Sequence, residues 1–163
     1  MRYHNITHDD MLNGLGLRVV LWVSGCEHKC FNCHNKITWD INNGLIFDED
    51  AKKEIYSSLE KDYIKGITFS GGDPLHKKNR DEIFNFIKEI KHKFPYKDIW
   101  LYTGYCWEDI KDLELIKYID ILVDGKYIEE LSNKDLEWKG SSNQRVINVK
   151  KTLTEDKIIL LGD

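Results

Sequence analysis

Three cysteines stand close together in this 163-residue chain, at Cys26, Cys30 and Cys33. Thiolates are strong ligands for iron and zinc, and a loop this short can wrap a single metal centre. A [4Fe-4S] cluster usually takes four cysteine ligands. Three ligands from one loop would therefore leave one iron with an open coordination position, which a chemically active metal needs.

Other uses of these cysteines stay open on spacing alone. A zinc knuckle would take the three thiolates with His28 or His34, although such sites usually present two separated ligand pairs and His34 directly adjoins Cys33. A disulfide framework is disfavoured because the local number is odd. The remote Cys106 becomes a fourth ligand if the fold brings it close, but a small, partly buried thiol is the simpler interpretation.

The pattern of apolar residues predicts strands that alternate with helices. A strand over 17–23 leads directly into the cysteine loop, because it is rich in β-branched and aromatic residues and ends at Ser24-Gly25. Further strands are predicted over 66–70, 98–103, 119–124 and 145–149, and helices over 48–63, 80–94 and 107–118. This alternation favours an α/β fold with a mostly parallel sheet. The chain is too short for a complete eight-stranded barrel, so we expect one domain, residues 1–163, built as a partial, open βα barrel.

The residues with unusual chemistry follow the predicted strands. They are Cys26, Gly71-Gly72, Thr103-Gly104 and Asp124-Gly125. Because reactive groups gather at the carboxyl ends of parallel strands, we expect these residues to meet at one edge of the sheet. Adjacent glycines let the main chain approach a ligand closely, although Gly-Gly-Asp-Pro by itself predicts only a turn.

Composition excludes several classes of protein. The chain has 24 basic and 28 acidic residues and a formal charge of −4, so it lacks the positive field of a sequence-independent nucleic-acid binder. The first residues do not form a basic-then-apolar secretory signal, and the apolar run 19–23 is too short to cross a bilayer. We therefore expect a cytoplasmic protein with neither a nucleic-acid nor a membrane partner.

The cysteine triplet and Gly-Gly-Asp-Pro together resemble the signature of the radical S-adenosylmethionine (SAM) enzymes. Within that superfamily the chain is similar to a family of small glycyl-radical activases, the activators of anaerobic ribonucleoside-triphosphate reductase. The matching stretches span nearly the whole chain: 13–21, 25–39, 68–75, 98–105, 120–127 and 140–145. Two departures stand out, since Leu15 replaces a frequent Pro and Asp73 replaces the superfamily's commoner Glu.

The resemblance implies two cofactors, a [4Fe-4S] cluster and SAM, and no catalytic side chain beyond them. Cys26, Cys30 and Cys33 would hold three irons, and the amino and carboxylate groups of SAM would chelate the fourth. Main-chain carbonyls around four residues would receive the methionine ammonium: Ser70, Gly71, Gly72 and Asp73. Further contacts with the ribose, the carboxylate, a cation or the adenine are implied for Thr103, Asp124, Lys126 and Phe31.

The implied reaction is reductive cleavage of SAM to methionine and a 5′-deoxyadenosyl radical, which then takes hydrogen from a glycine Cα of the partner reductase. An electron donor such as flavodoxin or ferredoxin is implied as well. Three alternatives remain. They are an activase of another glycyl-radical enzyme such as pyruvate formate-lyase, a small-substrate synthase as in deazapurine biosynthesis, and a non-catalytic zinc-binding interaction module.

Overall fold

The computed structural model describes residues 1–162. Its strands are β1 (Arg2–Asp10), β2 (Arg18–Val23), β3 (Leu45–Ile46), β4 (Gly66–Gly71), β5 (Asp98–Tyr102), β6 (Ile121–Asp124) and β7 (Arg145–Asn148). Its α-helices are α1 (Glu49–Leu59), α2 (Arg80–Lys93), α3 (Trp107–Ile110) and α4 (Val149–Glu155). Short 3-10 helices cover Lys36–Thr38, Glu114–Tyr118 and Glu129–Leu131.

All seven strands belong to one mixed sheet, in the order β3-β1-β2-β4-β5-β6-β7. The four central strands, β2, β4, β5 and β6, are parallel, whereas β1, β3 and β7 pair antiparallel with their neighbours. The α/β class is therefore confirmed, but a mostly parallel sheet is present only at the centre. Since the described residues leave β3 and β7 as edges, the sheet is not a closed barrel.

The two faces of the sheet are covered differently. Inward residues of the central strands, such as Leu21, Phe69 and Leu101, share one large core with residues of α1, α2 and α3. The opposite face carries a small cluster around Trp100 and Val123, against which Trp138 packs with its ring centroid 5.2 Å from that of Trp100. The helices thus leave one face of the parallel strands to a loop segment.

The sequence placed most central elements within a few residues of their bounds. At the start of α1, the Asp48 carboxylate accepts a hydrogen bond from the Ala51 amide at 3.0 Å, as expected for an N-cap. The single helix over 107–118 was wrong, because the chain leaves α3 after Ile110, is extended at Leu113, and resumes as a 3-10 turn. The sequence patterns did not indicate β1, β3 or α4.

A buried arginine ties together the starts of the central strands. Arg18 is fully buried and donates hydrogen bonds to Thr68 Oγ1 at 2.8 Å and to the Ile67 carbonyl at 3.0 Å. Its guanidinium also pairs with Asp98 and lies 5.3 Å from the Trp100 ring centroid. A buried charge is stable only when its donors are satisfied, and these contacts satisfy them.

A second charged network joins α2 to the end of the sheet. Asp120 accepts hydrogen bonds from Lys91 Nζ at 2.8 Å and from the Ile99 amide at 2.8 Å, and it pairs with Lys150 at 2.6 Å. Burial alone would raise the pKa of Asp120, but these donors outweigh burial and lower it.

None of the helices described for residues 1–162 has the length and hydropathy needed to cross a bilayer.

Candidate metal centre

The three cysteines of the loop after β2 line one small cavity at the carboxyl edge of the parallel strands. Its volume is about 150 Å³. Residues at or directly after the ends of β4, β5 and β6 line it as well: Gly71, Gly72, Thr103, Gly104, Gly125 and Lys126. The expectation that the ends of these strands meet around the cysteines is therefore confirmed.

The loop reaches this shape through two unusual backbone conformations. Lys29 and Asn32 have φ angles of 48° and 53°, and each directly precedes a cysteine. A left-handed conformation costs a non-glycine residue about 1–2 kcal/mol. Such strain is retained where the surrounding structure requires it, commonly at functional sites. Here the left-handed conformations of Lys29 and Asn32 turn the loop so that Cys30 and Cys33 line the same cavity as Cys26.

The sulfur atoms have the surroundings of metal ligands. All four cysteines are free, and the Asn35 amide donates to Cys33 Sγ at 3.4 Å. Burial raises the pKa of the Cys26 thiol to about 11, although backbone hydrogen bonds at His28 and Lys29 partly oppose this. A metal must therefore displace a proton from Cys26 on binding.

The three loop sulfurs do not form a closed zinc site. With zinc–sulfur bonds of about 2.3 Å, a tetrahedral site places its sulfurs roughly 3.8 Å apart. Within residues 1–162, only Cys106, Glu108 and Asp124 bring three such ligand atoms within 4.8 Å of one another, so the three loop sulfurs are more widely spread. His28 Nε2 is engaged by Asp73 at 2.6 Å, so this ring nitrogen is not available to a metal.

The Gly71-Gly72 turn lies directly against the backbone of the cysteine segment. Gly71 has a φ of 106°, and a Cβ there would stand 2.5 Å from the Val23 nitrogen. A Cβ on Gly72 would collide with the carbonyl of Gly25 and stand 2.8 Å from that of Thr38. Both positions need glycine because backbone fills the space, so the turn and the loop form one wall.

Asp73 lies behind this wall and does not line the cavity. Its side chain is almost wholly buried, at 1% exposed, and accepts hydrogen bonds from Thr103 Oγ1 at 2.9 Å, the Gly104 amide at 3.0 Å and the Leu75 amide at 2.8 Å. His28 supplies a further contact. The Asp73 carboxylate thus holds protein groups together, and the resemblance alone did not indicate this.

The remaining residues named from the sequence fall in different places. Ser70, Thr103 and Lys126 line the cysteine cavity, as do Gly71 and Gly72. Asp124 lines a larger neighbouring cavity instead. Phe31 is 74% exposed and lines neither of these cavities.

The neighbouring cavity has a volume of about 600 Å³ and shares His28, Gly104, Gly125 and Lys126 with the first. Cys106 lies here, exposed, and away from the cavity of the other three cysteines. Arg145 bonds to two of the three carboxylates that line this cavity, to Asp124 Oδ1 at 3.0 Å and to Glu108 Oε2 at 2.9 Å. These two acidic groups are therefore already paired with a cation.

Four cavity residues were not recognised from the sequence as parts of the site: Asn35, Tyr102, Tyr127 and Gln144. Asn35 bridges the two motifs, since its amide contacts Cys33 and its side chain donates to the Gly71 carbonyl at 3.5 Å. Its position two residues after the last cysteine was the available signal. Tyr127 and Gln144 come from segments that only the fold brings to the cavity.

Three thiols converge at the edge of the sheet, and comparison with known families identifies the class as iron–sulfur proteins. The family model described as "4Fe-4S single cluster domain" matches residues 12–147. Relatives named anaerobic ribonucleoside-triphosphate reductase-activating protein include that of Enterobacteria phage T4, 52% identical over 146 residues, covering 90% of this chain and 93% of the relative. Those of Vibrio cholerae and Escherichia coli K12 are each 41% identical, covering 88% and 90% of this chain and 96% and 97% of theirs. The chain belongs to the family of anaerobic ribonucleoside-triphosphate reductase-activating proteins.

Proposed function

We propose that this protein is a radical SAM activase that installs a glycyl radical on an anaerobic ribonucleoside-triphosphate reductase. The observation that carries the proposal is the cavity itself, where three thiols and the Gly71-Gly72 turn face one another. The names of the relatives support the reductase as partner. We further propose that residues 1–163 act as one radical SAM domain whose strands form an open, partial barrel.

The protein's own residues would bind the cluster and SAM, orient them and shield them from water. Cys26, Cys30 and Cys33 would hold three irons of a [4Fe-4S] cluster, and their loop supplies no fourth cysteine. When bound, the cluster and SAM would supply the chemistry of one-electron reductive cleavage, which converts SAM into methionine and a 5′-deoxyadenosyl radical. Main-chain carbonyls at Ser70 to Gly72 would accept from the methionine ammonium, because these residues line the cavity beside the cysteines.

Two further residues would act from the opposite walls. Lys126 is exposed at the rim and offers a cation to the SAM carboxylate. Thr103 lines the cavity, and its hydroxyl is committed to Asp73. Thr103 would therefore hold this wall of the cavity in place through its bond to Asp73 and would not contact SAM through its hydroxyl. The adenosyl radical would then take one hydrogen atom from a glycine Cα of the reductase, leaving 5′-deoxyadenosine and a glycyl radical.

The test is to mix the anaerobically reconstituted protein with SAM, a reductant and the reductase, and to record the glycyl radical by electron paramagnetic resonance (EPR). We expect the radical with wild-type protein and none with Cys30→Ala. A radical formed on pyruvate formate-lyase but not on the reductase would contradict the assignment of the partner. A colourless protein that holds zinc and no sulfide would contradict the function altogether.

A further inference from the structure

His28 belongs to the cysteine loop, but its ring is hydrogen-bonded to Asp73, in the segment that follows β4. Its side chain is only 8% exposed, and Nε2 lies 2.6 Å from Asp73 Oδ2. Because an ionised carboxylate can only accept hydrogen bonds, Nε2 is the donor. The contact joins the segment that carries the cysteines to the turn that carries Gly71-Gly72.

The Asp73 carboxylate extends this link to a third segment. It also accepts from Thr103 Oγ1 and from the Gly104 amide, which follow β5. One buried carboxylate therefore connects the cysteine loop, the turn after β4 and the end of β5. Hydrogen bonds to a charged group are stronger than those between neutral groups, and removing one donor leaves buried acceptor capacity unmet.

Steric contacts fix the His28 ring from the other sides. The Tyr105 ring packs edge-on against it, with centroids 4.6 Å apart. Gly104 lies beneath it, and a Cβ there would come within 2.7 Å of the ring atoms Cγ and Nε2. The absence of a side chain at position 104 is what lets the ring reach Asp73.

We propose that His28 is a positioning residue that sets the cysteine loop relative to the Gly71-Gly72 turn, so that SAM can contact both at once. The inference rests on the proposed function, since it assigns His28 to the binding of SAM. His28 would hold the distance between the two halves of the site without touching the reacting atoms. Removing it would weaken SAM binding more than it weakens cluster assembly.

The experiment compares His28→Ala, His28→Gln and Gly104→Ala with wild type after anaerobic reconstitution. A glutamine amide can reach the place of Nε2 and donate to Asp73, whereas Gly104→Ala displaces an intact His28. His92→Ala is the control, because this histidine is exposed on α2 and lines neither cavity. The readouts are iron and sulfide content, SAM affinity by equilibrium dialysis, and the change that SAM causes in the EPR spectrum of the reduced cluster.

We expect His28→Ala and Gly104→Ala to keep wild-type iron and sulfide but to bind SAM about tenfold more weakly, a difference of about 1.4 kcal/mol. The SAM-induced change in the EPR spectrum should shrink in both variants, and His28→Gln should recover most of the affinity. His92→Ala should match wild type in every readout.

Two results would overturn the inference. One is SAM affinity in His28→Ala within twofold of wild type. The other is loss of iron from His28→Ala, which would assign the residue to cluster assembly. Wild-type protein that holds the cluster but binds no SAM would instead refute the proposed function, and the role of His28 in SAM binding with it.

Discussion

Replacing Gly71 with alanine tests whether the turn after β4 is shaped by its contact with the cysteine segment. The new Cβ would stand 2.5 Å from the Val23 nitrogen and 2.6 Å from its oxygen, against the 3.0 Å below which real Cβ contacts essentially never fall. Val23 cannot move freely, because β2 is paired with β1 on one side and with β4 on the other. The overlap of about half an ångström must therefore distort both strands.

Two costs add in this variant. Holding alanine at a φ of 106° costs about 1–2 kcal/mol, and forcing an extra methyl into packed structure typically costs about 1–3 kcal/mol. We expect a loss of about 3 kcal/mol in the free energy of unfolding, or a fall in melting temperature of roughly 6–12 °C. Iron loading should also fall, because Val23 leads into the cysteine loop.

Gly162→Ala is the matched control, since Gly162 has a similar φ of 101° and a Cβ there would meet no atom within 4 Å. It should lose only about 1 kcal/mol, the strain without the overlap. Urea unfolding of the metal-free proteins, followed by circular dichroism, measures both losses. Equal stability losses in the two variants would refute the argument, because the difference between them isolates the contact with Val23.

Three further predictions concern stability and metal binding. Arg18→Met should destabilise the fold by about 2–3 kcal/mol in urea unfolding, since it leaves the partly buried Asp98 without its cation and buried acceptors without their donor. A loss below about 1 kcal/mol would argue against this. Asp120→Asn should lower the free energy of unfolding by about 2 kcal/mol at pH 7. Because the pKa of Asp120 is lowered in the folded protein, the difference in stability between variant and wild type should shrink as the pH falls below about 4. A difference that does not change with pH would contradict the stabilising role of the ionised Asp120. Cys106→Ala should keep the full iron content while Cys30→Ala loses it, as measured by metal analysis; equal loss would make Cys106 a ligand.

The sequence was sufficient for the centre of the sheet and for the gathering of its motifs. The strands β2, β4, β5 and β6 are apolar and nearly fully buried, so their composition marks them clearly. The strand β1, which lies between β3 and β2, was missed because polar and exposed residues dominate it, with only Tyr3 and Ile6 buried. Sequence periodicity detects a strand poorly when so few of its residues face the core.

The inner arrangement of the site depended on long-range contacts that local patterns do not encode. The contact of His28 with Asp73 joins residues 45 positions apart, and the partners of Arg145 lie 21 and 37 positions away. Asp124 was expected near a ligand, but its carboxylate is taken by Arg145 and by the Trp107 amide at 2.7 Å. Residue type indicated which groups were unusual, and the fold decided which of them face the cavity.

The most direct test of the central claim is product analysis after reduction. Anaerobically reconstituted protein should be incubated with dithionite and SAM, and 5′-deoxyadenosine and methionine quantified by liquid chromatography. We predict both products in equal amounts from wild-type protein and neither from Cys26→Ala, Cys30→Ala or Cys33→Ala. An intact, reduced [4Fe-4S] protein that leaves SAM uncleaved would contradict the account.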